Sequence, residues 1–350
     1  MNTKTSNKIT YLYFLMSVMI LGLHSIDMDM MDANRFALAF NHAIRILYNM
    51  GVSTFFFVSA LLFFRSINNK RYLDVIKNKI VTLVIPYLCW NVICWPLKEL
   101  KNVLTTGSIS GISIYESLYK IVSSQWNPVL WFVRVLFLYF VIYPIVLWVV
   151  KHKVIFICFL VVNLAINIAL GGGVGYSTMR YWLPIYMVGA YLGYWHKERI
   201  FEPHVVKFGV KGYWGLVFLQ MALIALAMTG DLGLYICRMV SPLCFWGLAD
   251  ILAIEQKPKW WMRQAFYYYC AQLIFTGVAQ NIYIKIFGIS NISAIASNII
   301  LPILLLVILA VTAYVFRFVA NPVWKVLTGG REKIPFRGEN ITNKTDTRVN

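Results

Sequence analysis

Apolar residues run through this chain in long blocks separated by short polar links. Ten blocks stand out, at about 9–27, 48–66, 80–97, 129–149, 154–170, 180–196, 213–229, 233–254, 265–287 and 295–319. Each is close to the roughly 20 apolar residues that a helix needs to cross a bilayer. The pattern predicts an all-α integral membrane protein, a bundle of about ten transmembrane helices. No soluble domain, low-complexity linker or internal repeat interrupts it. The polytopic domain is placed at 1–330. A basic and polar tail at 331–350 is expected to be disordered and cytoplasmic.

Composition sharpens this picture. The chain is 60% apolar and 13% charged, against about 45–50% and about 25% in soluble domains. Such an excess requires lipid as the solvent for much of the surface. The aromatics, 21 Tyr, 23 Phe and 12 Trp, often stand at the ends of apolar blocks, as interfacial belts do. Lys4 and Lys8 before the first block imitate a signal peptide. The block is long and lacks a small-x-small cleavage site, so it is read as a retained first span. The six cysteines all lie inside apolar blocks and form no CxxC, which points to packing and to no metal site.

The net charge of +18 would suggest nucleic acid in a soluble protein. Here the charges sit in short loops, where they set topology and meet anionic headgroups. No nucleic-acid module is present, and membrane lipids are the expected partner. With the N-terminus inside, Arg65, Lys77, Lys79, Lys151, Lys153 and Arg263 fall on the inner side with the basic tail. The outer side is thinner in Lys and Arg. The alternation predicts an even number of spans with both termini cytoplasmic.

The candidate chemistry begins with His24, at the far end of the first block. A group that titrates near neutral pH is costly in a bilayer and is a functional candidate by default. Asp27 is three residues on, so a continuing helix would place both on one face. A carboxylate beside an imidazole orients the ring and suits a general base. A capping His among solvated acids, with Asp29 and Asp32 nearby, fits the same spacing. Arg45, Arg134, Arg180 and Arg238 stand at outer span ends, with Trp131 close to Arg134. Each can snorkel to headgroups, or several together can line a site for an anionic or sugar acceptor. Lys70, Arg71, Lys77 and Lys79 make a basic inner loop. It serves topology alone or clamps the phosphates of a cytoplasmic donor. Asn163, Asn167, Gln272 and Gln280 read as hydrogen-bonding ties between helices. Asp250, near the inner end of its span, reads as solvated. No Walker loop, GxGxxG, HExxH or GxSxG occurs.

Five segments together carry a resemblance. They are the span ending in His24; Gly51-Val52-Ser53-Thr54-Phe55-Phe56-Phe57-Val58-Ser59-Ala60; the basic run from Lys77 into Pro86-Tyr87-Leu88-Cys89-Trp90; Leu130-Trp131-Phe132-Val133-Arg134 followed by Tyr143-Pro144; and Pro184 through Gly189 to Gly193. Their order and spacing over nearly the whole chain resemble the membrane acyltransferase-3 family, which O-acetylates sugars and polysaccharides. The resemblance implies transfer of an acetyl group from cytoplasmic acetyl-CoA to a hydroxyl of a lipid-linked or exported glycan. It implies His24 as the essential base, and the three-residue spacing adds Asp27 to orient it. Lys70, Arg71, Lys77 and Lys79 would bind the donor, and Arg45, Trp131, Arg134 and Arg180 the acceptor. It implies acetyl-CoA as a cosubstrate with no bound cofactor, and a bacterial inner membrane. The chain departs from the pattern at Tyr13, where many members carry Arg, at Thr82 for a second Arg, at Ala60 for Gly, and at Gln272 for His. A transporter or flippase for a glycan or lipid is the alternative, and a catalytically degenerate relative is a third reading.

Overall fold

The computed structural model describes residues 3–25, 34–67, 71–108, 111–173, 175, 177–196, 198–202 and 205–331. Among the described residues the regular elements are helices. α1 (Thr3–Ser25) and α2 (Arg35–Arg65) pack antiparallel. α3 (Tyr72–Lys79) passes through a π-helical turn, Ile80–Val84, into α4 (Ile85–Thr106). The short α5 (Ile114–Val122) and a 3-10 turn at Pro128–Leu130 lead to α6 (Trp131–Val141). A 62° bend separates α6 from α7 (Tyr143–Lys151). Then follow α8 (Lys153–Ala169), α9 (Met179–Trp195), α10 (Val205–Ala227), α11 (Asp231–Leu248), α12 (Ala265–Phe287), α13 (Asn291–Val319) and α14 (Asn321–Leu327).

All ten apolar blocks coincide with a helix or a bent helix pair. Among the described residues, six helices are long and apolar enough to cross a membrane, or seven if the bent pair is one span. The expectation of ten crossings goes beyond these for physical reasons. α8 and α9 have only 17 residues each. α12 has 23, but Gln272, Gln280, Asn281 and four tyrosines dilute its apolar character.

Local chemistry sets several boundaries. The Asn34 side chain accepts from the Ala37 amide at 2.9 Å and starts α2. Ser113 accepts from the Glu116 amide at 3.2 Å to start α5, and Ser290 from the Ser293 amide at 3.1 Å to start α13. Each satisfies an amide that has no partner within its own helix.

The spine of the bundle is α2 against α1 and α9. Gly189 and Gly193, one turn apart on α9, lie against the backbone of Phe57 and Leu61 on α2. A Cβ at Gly193 would come within 3.1 Å of the Leu61 Cα. Small residues at this spacing let two helices approach to backbone contact. Aromatics fill the space beside the spine: Tyr139 stacks on Tyr186 at 4.2 Å, and Phe56 meets Phe132 at 4.4 Å and Trp182 at 5.4 Å. Trp182, Trp324, Tyr139 and Tyr186 are fully buried. Much of the aromatic content expected at interfaces therefore forms the interior, because these rings fill gaps that aliphatic side chains would leave open.

Asp250 is not solvated. It is 3% exposed and ion-paired with Lys8, itself 2% exposed. The Lys8 ammonium also lies 3.9 Å from the Trp246 ring centroid. Asn7, immediately before Lys8 on α1, donates its side-chain amide to the carbonyls of Ile254, Glu255 and Gln256 at 2.9–3.2 Å. From there residues 254–265 climb the flank of α1. Trp261 meets Phe14 edge-on at 5.1 Å, and Ser17 reaches the Ala265 carbonyl at 3.5 Å. Tight polar ties recur elsewhere: the Asn91 carbonyl oxygen accepts from the Asn127 amide at 3.1 Å, the Asn127 side chain donates to the Cys270 carbonyl at 3.0 Å, and Gln280 donates to the Ser25 carbonyl at 3.1 Å.

Candidate functional site

A cavity of about 490 Å³ lies in the half of the bundle that holds the N-terminus. Its polar lining comes from Thr10 and Tyr13 of α1, Ser59 of α2, and Arg263, Gln264 and Arg331. Aromatic rings of Phe55, Phe132, Phe266 and Tyr269 complete much of the wall. Tyr13 stacks on Phe55 at 5.2 Å, and Ser59 hydrogen-bonds its hydroxyl. The Tyr269 hydroxyl donates to the Val129 carbonyl and ties this part of the wall to the 3-10 turn before α6. The lining contains two arginines and no carboxylate.

Arg331 reaches this wall because two consecutive glycines turn the chain after α14. Gly329 and Gly330 have φ of +64° and +66°, a region that disfavours residues with a Cβ. Their amides bond to the Val326 carbonyl at 3.0 Å and the Lys325 carbonyl at 2.8 Å. Gly329 lies against the backbone of Thr82 in the π-helical turn, where an added Cβ would come within 2.5 Å of the carbonyl oxygen. The Arg331 guanidinium covers the Phe266 ring at 3.6 Å and donates to the Thr328 carbonyl at 3.3 Å. It is exposed to solvent. Desolvation lowers its pKa to about 10, with Cys270 and Tyr13 opposing the shift. It therefore remains a cation at neutral pH.

His24 is half-buried in the last turn of α1. It stands eleven residues from Tyr13, about 16 Å along the helix at 1.5 Å per residue. Two residues before it, Gly22 lies against the ring of Tyr48 on α2, three residues past Arg45. One turn along α2, the Asn49 side chain accepts from Arg238 Nε at 2.9 Å, and Arg238 Nη1 donates to the Tyr181 hydroxyl at 2.7 Å. Arg238 is 8% exposed and also faces the Trp182 ring, so it is a buried member of the bundle. Trp182 stacks on Trp131 at 6.0 Å. Arg180 acts on Tyr235, which packs edge-on against Tyr181 at 5.0 Å. Trp131 thus joins a chain of contacts that runs through Trp182 and Tyr181 to Arg238 and Asn49.

Arg134 instead donates to the Ser123 carbonyl at 3.0 Å, at the end of α5. Tyr87 donates to the neighbouring Val122 carbonyl at 2.6 Å. Arg71 and Lys77 are exposed on α3. Lys79 lies 4.0 Å from the Phe140 ring centroid. None of these three lines the cavity. Asp27, Asp29, Asp32, Lys70 and the tail from 332 onward lie outside the described residues. In the sequence Arg263 counts only toward the inner-side charge and Arg331 only toward the basic tail, with no site role for either. The adjacent glycines before Arg331 were the available signal of a turn that brings the chain back.

A family model described as an acyltransferase domain matches residues 7–330. The chain belongs to the acyltransferase-3 family. Comparison with curated proteins and with solved structures gives no significant match. The match covers the cavity lining of this membrane acyltransferase domain up to Gly330, one residue short of Arg331.

Proposed function

We propose that this acyltransferase moves an acetyl group from cytoplasmic acetyl-CoA to a hydroxyl of a lipid-linked or exported glycan at a bacterial inner membrane. The observation that carries the reading is the cavity, with two arginines and no carboxylate in its wall. An anionic thioester donor suits such a wall, and an aromatic interior suits its pantetheine arm. Arg71, Lys77 and Lys79, with Lys70, raise the local positive potential and draw the donor in. His24 serves as the general base. It takes the proton of the acceptor hydroxyl as that oxygen attacks the thioester carbonyl. The carbon–sulfur bond then breaks, and CoA leaves as a thiol after receiving the proton. Asp27 orients the imidazole. Arg45, Trp131, Arg134 and Arg180 form the acceptor side, with the indole face available to a sugar ring.

The test is label transfer from radiolabelled acetyl-CoA into the glycan and lipid fractions of membranes. Wild type is compared with His24→Ala, and folding of both is checked by size-exclusion profile and thermal midpoint. Label that requires wild-type His24 supports the reading and identifies the acceptor fraction. Full transfer by folded His24→Ala removes His24 as the base. Absence of label with acetyl-CoA and with other short acyl-CoA donors, alongside movement of an unmodified glycan lipid, would favour a carrier instead.

A further inference from the structure

We infer that Arg331 is the inner anion anchor of the cavity and takes the diphosphate of the nucleotide-bearing donor. The inference rests on the donor reading above. It adds a segment that no family match covers, since the matched stretch ends at Gly330.

Three observations lead there. First, the guanidinium is only partly engaged by protein. One face lies on Phe266 and one N–H on the Thr328 carbonyl. Among the described residues no carboxylate pairs with Arg331 or Arg263. Arg carries five N–H donors in a rigid fork, so most of that fork is left for a ligand. Second, the position is built. Two left-handed glycines, the close approach to Thr82 and the bonds to Val326 and Lys325 hold the turn that delivers it. Trp324, fully buried against Tyr267 at 4.8 Å, anchors the helix before the turn. Third, the charge count selects the ligand. A lone carboxylate would leave one of the two arginines unmatched, whereas a diphosphate diester carries two negative charges and accepts two forks.

A diphosphate could belong to the donor or to a lipid-linked sugar. The test separates them by binding to purified full-length protein in nanodiscs, with CoA, pantetheine and farnesyl diphosphate as probes. Wild type is compared with Arg331→Ala and Arg331→Lys, each checked for an unchanged thermal midpoint. Wild type should bind CoA well above pantetheine. Arg331→Ala should weaken CoA by about tenfold to a hundredfold, the range of a charge-assisted hydrogen-bonded pair. Pantetheine binding should not move, and Arg331→Lys should fall between. Equal CoA affinity in wild type and Arg331→Ala overturns the inference. So does an equal loss for CoA and pantetheine, which would make Arg331 a shaper of the cavity. Binding of farnesyl diphosphate through Arg331 without CoA binding would keep the diphosphate contact but overturn its assignment to the donor. Failure of wild type to bind any of the probes overturns the anchor. Label transfer from acetyl-CoA despite intact CoA binding by Arg331→Ala would leave the transferase reading standing alone.

Discussion

Asp250→Asn should destabilise the protein more than an ordinary surface change, and the structure supplies the reason. Lys8 is 2% exposed and depends on Asp250 for its counter-charge. Removing one partner of a buried pair leaves a desolvated charge and costs about 3–5 kcal/mol. The Trp246 face, 3.9 Å from the ammonium, offsets part of this, since a desolvated cation–π contact contributes about 2 kcal/mol. The net expectation is a loss of about 1–3 kcal/mol. At roughly 2 °C per kcal/mol for a long chain, the thermal midpoint in detergent should fall by about 2–6 °C. The double variant Lys8→Met with Asp250→Leu should recover most of it, because an apolar pair of similar volume removes the uncompensated charge. The same change bears on the site. Asn7, one residue from Lys8, holds the carbonyls of residues 254–256, and that strand of chain continues to Arg263 and Gln264 in the cavity wall. Asp250→Asn should therefore also raise the donor KM. A midpoint within about 1 °C of wild type, or a double variant no better than the single, would refute the reasoning.

Gly193→Ala should cost about 1–3 kcal/mol by pushing α9 away from α2, read as a lower thermal midpoint, while Gly277→Ala, with open space around its Cβ, serves as the neutral control. Gly329→Ala combines a left-handed φ with a close approach to the Thr82 carbonyl. It should displace Arg331 and weaken CoA binding about as much as loss of the guanidinium itself, with retention of full affinity counting against the role given to the turn.

Helices were easy to read because lipid demands long apolar blocks, and every block is helical. The count of crossings was harder. Length and hydropathy barely separate a 17-residue helix such as α8 from a span, and α12 places polar ties such as Gln280 where a span would be apolar. His24 and Arg45 were both legible as candidates, and the fold sets their helices α1 and α2 side by side. The aromatic–arginine cluster around Arg238 was not legible as a buried network, because an arginine at a span end reads equally well as a snorkelling side chain. Asp250 misled for a related reason: its partner Lys8 is 242 residues away in sequence, so no local pattern links them. Arg331 was hidden by its neighbourhood. It begins a basic stretch, and only the positive φ angles of Gly329 and Gly330 turn it back to the bundle.

Direct contact between the backbones of α2 and α9 has a mechanical consequence. Gly189 and Gly193 leave no side-chain layer between these helices, so nothing there can repack to let one slide past the other. The pair acts as a stiff keel. Any breathing that joins the cavity around Tyr13 to the neighbourhood of His24 has to be carried by the opposite wall, where short α6 ends in its bend.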